Sequence, residues 1–419
     1  HNTSVYPTVV CQVRRYGQLM QIGVPRERAN KERRVGAVPA SVKVLVDWGW
    51  DVHVESDAGT AAGYTDEAYI AAGARIVAST TEAHNAQLVI RVGPPTHDEI
   101  ALIPEGAILT SLLNPFVGTD LIASCNARKI SSVAMEAVPR TTLAQAMDVL
   151  SSQATAAGYA AVLMAATESP KLIPMLVTAA GTIKPSRVLI LGVGVAGLQA
   201  IATAKRLGAQ VHAYDVRPET REQVESLGAR FVEAPTQAGD DGGYAKEVDD
   251  ETAAQQQAIL ADYVAQSNMV ITTAQIPGRA APRLINADVI ERMAPGSVVI
   301  DMAAKSGGNV EGSVLDEVVE VNGVRIYGPS DLASRVATDA SAMYARNVQE
   351  LVNRMRPTDD DAPNEASIRL DDEVVGPCVI SHNGAIVNER TRSAMGLEPL
   401  ATAAPPPTEE PISTSEESV

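Results

Sequence analysis

From Met20 onward, short apolar runs alternate with segments whose apolar residues recur at helical spacing. MQIGVP, DVHVES, ARIV, QLVIRVG, GAILTSLL and ISSVAME read as strands, and SVKVLVDWG, with Val42, Leu45 and Val46 on one face, reads as a helix between the first two. Strands parted by helices at this rhythm predict a parallel α/β sheet. Residues 141–168 are Ala-rich, with one glycine and no proline, and predict a single long helix after the Val138-Pro139-Arg140 turn. A second α/β region runs from Arg187 to about Pro329, with RVLILG, QVHAYDV, MVITTA, SVVIDMA and VRIYG as its strands. The helical pattern DASAMYARNVQELVNRM then leads back into a short α/β remainder ending near Asn388.

This order predicts two doubly wound parallel-sheet domains, the second inserted in the first and joined to it by long helices. The first takes residues 20–150 and 335–395, the second 151–334. Residues 1–19 have no apolar core of a signal peptide; they read as an unstructured extension, with Met20 as the native start. From 396 the chain reads as a disordered tail, since 401–419 hold four prolines, four glutamates and no cation.

Composition narrows the function. The 419 residues suffice for two or three cores. With 34 Lys+Arg against 51 Asp+Glu, the net charge of −17 argues against nucleic acid and against a bare anionic membrane. The mixed stretch Arg26 to Arg34 is open to two readings, a solvated loop or an anion site. Cys11, Cys125 and Cys378 are scattered, which predicts neither a disulfide framework nor a zinc site and suits a reducing cytoplasm. The best membrane candidate, Leu172 to Ile183, contains Pro174 and is far shorter than the roughly 20 residues a span needs. No metal motif, Walker A loop or Ser/His/Asp triad is recognisable, and the six histidines read as structural.

The strongest motif is Gly192-Val-Gly194-Val195-Ala196-Gly197, set between an apolar β-branched run and an Ala-rich helical segment. In that context it reads as the Rossmann dinucleotide fingerprint. Gly192 makes the turn, Gly194 lets backbone N–H groups approach a pyrophosphate, and Gly197 lets helix and sheet pack closely. Asp215 ends the next strand, 18 residues after Gly197. A carboxylate there accepts ribose hydroxyls and repels a 2′-phosphate, selecting NAD(H), while Arg217 beside it could pair with a phosphate.

Three further features carry two readings each. The Gly-rich stretch around Gly243 and Tyr244 is a surface connection or a lid over a nucleotide. Ala274 and Gln275 end an apolar strand, as a ligand contact or as a buried terminus. Gln145, Asp148 and Ser151, with Arg140 nearby, form a polar stripe on the long helix, as its solvated side or as the holder of a nicotinamide.

Together, IGVPRERANKERRVGAVPASV, VPRTTLAQAMDVLSSQATAAGYAAV, VLILGVGVAGLQAIATAKRLGAQVHAYDVRPETREQVESLGA, GGYAKE, ITTAQIPGRAAPRLI, GSVVIDMAAKSGGN and SRVATDAS resemble the NAD-binding part of the Si-specific, proton-translocating NAD(P) transhydrogenases. The resemblance spans about residues 20–390. It implies that the first domain forms a homodimer and the second binds NAD(H). It further implies hydride transfer to NADP(H) held on a partner subunit, coupled to protons crossing a membrane subunit. Arg140, Gln145, Asp148 and Ser151 match the loop that positions the dihydronicotinamide. Asp215, Val216 and Arg217 match adenosine-ribose contacts; Val195, Gly243, Gln256 and Gln275 match other nucleotide contacts; Tyr244 matches a mobile-loop tyrosine. The chain would then sit on the cytoplasmic face of a bacterial membrane through its partners, with proton channel and NADP site on other chains.

Two alternatives stand beside it. An alanine dehydrogenase of the same superfamily needs an arginine, a lysine and a histidine at its site. Arg34 is at the first position, but Arg91 and Leu113 stand at the others, and neither can move a proton near neutral pH. A non-catalytic NAD-binding regulator would need the fingerprint but not the stripe from Arg140 to Ser151.

Overall fold

The apolar runs form the strands of two mainly parallel sheets in the computed structural model, which describes residues 19–233, 240–241, 244–245, 250–276, 279–357 and 364–400. At 240, 241, 244, 245, 250–254 and 256 it describes the backbone. In chain order the strands are β1 (Gln21–Val24), β2 (Asp51–Glu55), β3 (Arg75–Val77), β4 (Leu88–Ile90), β5 (Ile108–Ser111) and β6 (Ser131–Ala134). Next come β7 (Leu176–Thr178), β8 (Gly181–Ile183), β9 (Arg187–Leu191), β10 (Gln210–Tyr214), β11 (Arg230–Phe231), β12 (Asp240–Asp241) and β13 (Tyr244–Ala245). The rest are β14 (Met269–Thr272), β15 (Val298–Asp301), β16 (Val318–Val321), β17 (Val324–Tyr327), β18 (Val379–His382) and β19 (Ala385–Ile386).

The first sheet has the order β19-β18-β6-β5-β4-β1-β2-β3, and the second β11-β10-β9-β14-β15-β17-β16. The second is therefore inserted in the first, because β18 and β19 return to pair with β6 after the whole second sheet is complete. Leu88, Val89, Val52 and Val54 are fully buried, as are Leu189 to Leu191 and Val298 to Ile300. Such continuously buried runs are those of sheets covered on both faces.

In each sheet the chain order reverses beside the first strand, between β1 and β4 and between β9 and β14. Ligands of open α/β sheets bind outside the strand ends at that reversal. The second reversal opens into a cleft. The first is filled by the chain itself, where Glu27 accepts from the Val92 N–H at 2.6 Å and pairs with Arg91 at 3.2 Å.

The single helix predicted over 141–168 is divided. Thr142–Met147 is a 3₁₀ segment, Asp148 is extended at φ −73°, ψ 90°, and an α-helix runs from Val149 to Glu168. The Asp148 carboxylate accepts from the Ser151 N–H at 2.9 Å and from its hydroxyl at 2.6 Å, so the side chain caps a new helix instead of continuing the old one.

Val149–Glu168 is long and apolar enough to cross a membrane by length and composition alone. Here it is a core helix: Ala160, Ala161, Val162 and Ala165 are buried with residues of β9, β14 and the Val195–Arg206 helix. Gly158 permits the closest approach, since a Cβ there would lie 2.1 Å from the Ala196 carbonyl oxygen. Ser152 and Gln153 bond to Asn347 and Ala340 on the Ala337–Arg354 helix, at 2.7 and 3.0 Å.

The apolar stretch Leu172 to Ile183 carries the β7–β8 hairpin, with all six strand residues exposed. Alternation gave no sign of this hairpin, nor of the antiparallel edge strand β16. Residues 396–400, assigned by composition to the tail, fold back: Arg392 Nε donates to the Glu398 carbonyl at 2.8 Å and the Leu400 N–H to Glu389 at 2.9 Å. Residues 1–18 and 401–419 lie outside the described residues.

Candidate functional site

The three glycines of the fingerprint meet three different constraints. Gly192 has φ +98°, and a Cβ on it would stand 2.5 Å from Thr273 Oγ1. A Cβ on Gly197 would stand 1.9 Å from the Gly192 carbonyl oxygen. At Gly194 nothing lies within 4 Å of that position, so this stretch of backbone is open to a ligand. Gly194 immediately precedes the Val195–Arg206 helix, whose N-terminus has no side-chain cap. Its first N–H groups and the positive end of its dipole are left for an anion.

Asp215 follows β10 and is 7% exposed. It accepts from the Val193 N–H at 2.7 Å and from the Arg217 N–H at 2.9 Å. The Arg217 guanidinium adds Nε at 2.9 Å and Nη2 at 3.1 Å. A carboxylate fixed at the end of the second strand, beside the glycine turn, fits the ribose of a dinucleotide.

Between the two sheets lies a cleft of about 1330 Å³. Arg140, Gln145, Asp148 and Ser151 line it from one side; Gly192, Gly194, Val195, Ala196, Asp215, Val216, Arg217, Ala274 and Gln275 line it from the other. The polar stripe and the nucleotide turn, far apart in sequence, thus share one space. Gln275 Nε2 donates to the Met302 carbonyl at 3.2 Å.

Gly197 does not line the cleft and packs behind the turn. Gly243 lies outside the described residues. The Tyr244 backbone forms β13, paired antiparallel with β12, and the Gln256 backbone lies in the Asp250–Ala265 helix; their side chains are outside the description. Arg279, Arg283, Gln153 and Gln257 also line the cleft and were not singled out from the sequence. The two arginines follow the β14 strand end in IPGRAAPR, and that was the signal the sequence offered.

Among the described residues, five arginines, Arg34, Arg140, Arg217, Arg279 and Arg283, line the cleft against two aspartates, Asp148 and Asp215. Even with Arg34 paired to Glu32, the charge around the cleft is positive in a molecule of net charge −17, a local sign that suits an anionic ligand. The alanine dehydrogenase/PNT N-terminal domain model matches residues 23–157, and the C-terminal domain model of the same name matches residues 161–389. The chain belongs to the alanine dehydrogenase/PNT family.

Among its relatives, the first part of the NAD(P) transhydrogenase alpha subunit of Rhodospirillum rubrum is 45% identical over 379 residues, covering 88% of this chain and 98% of that one. The crystal structure of transhydrogenase from Sinorhizobium meliloti superposes with a TM-score of 0.79 at 41% identity, covering 88% of this chain and 100% of that chain. An L-alanine dehydrogenase structure gives 0.75 at 26% identity, covering 90% and 99%.

The three positions that the resemblance assigns to amino-acid chemistry lie in different settings. Of Arg34, Arg91 and Leu113, only Arg34 lines the cleft. Arg91 is 2% exposed and held by Glu27, by Glu99 at 2.8 Å and by His84 Nε2 at 2.9 Å. Burial pushes the Glu27 carboxyl above its ordinary range even beside Arg91, and burial likewise lowers His84. Leu113 is fully enclosed in a core. Arg34 is itself occupied: Nη2 meets Glu32 at 2.6 Å, Nε at 2.8 Å, and Nη1 donates to Gln153 at 2.8 Å. Burial raises the Glu32 carboxyl, but Arg34 and the Ser334 hydroxyl together more than offset it and the net shift is downward.

The structure does bring one Ser, His and Asp together. His97 sits 3.0 Å from Ser124 Oγ and 3.3 Å from Asp120 Oδ2. The group is on the open surface, with His97 and Asp120 59% and 79% exposed, and Ser124 donates its proton to the Asp120 carbonyl. It is a surface network, and none of the three residues lines the cleft described above.

Proposed function

We propose that this chain is the NAD(H)-binding, catalytic subunit of a Si-specific, proton-translocating NAD(P) transhydrogenase. One observation carries the reading: the polar group Arg140, Gln145, Asp148 and Ser151 shares a cleft with the Gly192–Gly197 turn and Asp215. Likeness to the R. rubrum subunit and the S. meliloti transhydrogenase supports it. NAD(H), when bound, supplies the hydride.

The chain's own residues hold and orient. The uncapped helix N-terminus after Gly194 takes the pyrophosphate, Asp215 takes the adenosine ribose, and the group from Arg140 to Ser151 takes the nicotinamide end. Hydride transfer between two nicotinamide rings needs no protein acid or base; it needs alignment and exclusion of water. That accords with a cleft lined by guanidinium, amide, hydroxyl and carboxylate groups, in which the buried Arg91 and Leu113 have no part.

The NADP(H)-carrying partner would close the cleft's open side, and the chain would lie on the cytoplasmic face of the membrane through a membrane subunit. The proposed dimer is of two copies of this chain; the resemblance implies a contact through the first domain, and the exposed β7–β8 hairpin, which lies in the second, supports a contact there as well. Met175 and Val177 there are 60% and 73% exposed, an apolar display unusual on a free surface.

The direct test mixes the purified chain with a separately purified NADP(H)-binding transhydrogenase subunit and follows transfer from NADH to NADP or to an NAD analogue. Transfer that requires both proteins is the expected result. Absence of transfer, with alanine-dependent NAD reduction by this chain alone, overturns the proposal in favour of the amino-acid reaction.

A further inference from the structure

The Asp215 carboxylate is already saturated. An ionised carboxylate offers about four acceptor directions, and four donors meet this one among the described residues: the Val193 N–H, the Arg217 N–H, and the Arg217 Nε and Nη2. The pair is secluded, with Asp215 and Arg217 side chains 7% and 19% exposed. It stands at the end of β10, beside the glycine turn, where a dinucleotide places its adenosine ribose.

Two kinds of ligand would meet this pair differently. An unphosphorylated ribose brings two hydroxyl donors, which can replace the guanidinium's two donors one for one. A 2′-phosphate brings acceptors and negative charge. It would draw Arg217 to itself and leave Asp215 secluded and facing a like charge, with only the 3′-hydroxyl to replace the two guanidinium donors, and burying such a group is costly.

We infer that Arg217 is a 2′-phosphate-binding group that Asp215 keeps out of use, so that the pair, and not the carboxylate alone, sets the choice between NAD(H) and NADP(H). This rests on the dinucleotide reading of the cleft. Its consequence is strong coupling: while Asp215 is charged, whatever Arg217 gains from a phosphate is offset by the donors Asp215 loses, and only once that charge is gone does Arg217 act as a net phosphate ligand. A guanidinium fork suits a phosphate well.

The test is a double-mutant cycle on the full chain, with dissociation constants for NADH and NADPH measured by equilibrium dialysis. The forms are the unaltered protein, Arg217→Met, Asp215→Asn and the double variant. Asp215→Asn should tighten NADPH by about tenfold, the worth of one charge-assisted hydrogen bond. Adding Arg217→Met to Asp215→Asn should remove that gain, whereas Arg217→Met alone should leave NADPH affinity within about twofold.

Equal weakening of NADPH by Arg217→Met on both backgrounds overturns the inference, as does a failure of Asp215→Asn to tighten NADPH. Asp215→Ser removes the same charge and serves if the Asn form melts early. These outcomes are distinct from failure of the underlying reading, since that reading, and the inference with it, falls if the unaltered chain binds neither nucleotide. NADH binding with an additive cycle sinks the inference alone.

Discussion

Asp148 has two separable jobs. It caps the Val149–Glu168 helix through Ser151, and it faces the cleft beside Gln145. Asparagine is as good an N-cap as aspartate, so Asp148→Asn should keep its melting temperature while slowing hydride transfer to an NADP(H)-bearing partner at least about tenfold. Asp148→Ala should in addition lose about 1 kcal/mol of stability. Normal transfer by the Asn form in stopped-flow assays would reduce Asp148 to a cap. Asp372 serves the fold. Its Oδ1 accepts from Arg354 Nε at 2.7 Å and from the Val374 and Val375 N–H groups at 2.9 Å, which pins the chain where it returns toward β18. Burial pushes its pKa up, but Arg354 and the two amides pull it from 3.8 down to about 2. Between those values the unfolded chain binds a proton that the folded chain refuses. The stabilisation is therefore present above the unfolded value and is lost as pH falls from about 4 to about 2. Thermal melts across that window should show a smaller loss in Asp372→Asn than in the unaltered protein; parallel curves would contradict the assignment.

At the scale of elements, the contact between the Val149–Glu168 and Val195–Arg206 helices decides the shape of the site. The first carries Ser151 near its start, and the second begins at the uncapped turn after Gly194. Gly158 sits where they touch, against the Ala196 carbonyl. Its substitution by alanine would have to push a backbone away, an overpacking that should cost about 1–3 kcal/mol. Because the displaced residue adjoins Val195, nucleotide affinity should fall with stability in Gly158→Ala, as urea unfolding and NADH titration would measure. Unchanged affinity would mean that the helices separate without disturbing the turn. The sequence marked Gly158 only as the one glycine in an Ala-rich run. Its partner lies 38 residues further on, and no periodicity reports a contact between two helices.

For the whole molecule, the apolar hairpin β7–β8 is the feature a monomer would not be expected to expose. If it joins two copies, Val177→Asp should shift the chain from dimer to monomer in sedimentation velocity without altering its far-UV spectrum. A monomeric unaltered protein at micromolar concentration would contradict this. The acidic surface and the arginine-lined cleft also belong to this scale. Net charge argued against nucleic acid and a bare anionic membrane, yet the fold gathers Arg34, Arg140, Arg217, Arg279 and Arg283 from separate segments around one space.

The sequence by itself determined the central parallel strands, the insertion of the second sheet's segment within the first and the dinucleotide turn, because each is written in neighbouring residues: apolar runs, glycine spacing, a carboxylate at a strand end. It also placed Asp215 and the group from Arg140 to Ser151 as candidates. Only the tertiary structure decided that these face each other, that the predicted long helix breaks at Asp148, and that Asp215 is taken up by Arg217. It also assigned Arg91 to a buried ion-pair cluster and left the Leu172–Ile183 stretch as an exposed hairpin. The physical reason is common to all of these. Side-chain hydrogen bonds, ion pairs and close backbone approaches depend on which distant segments the fold brings within about 3 Å, and a local pattern carries no record of that.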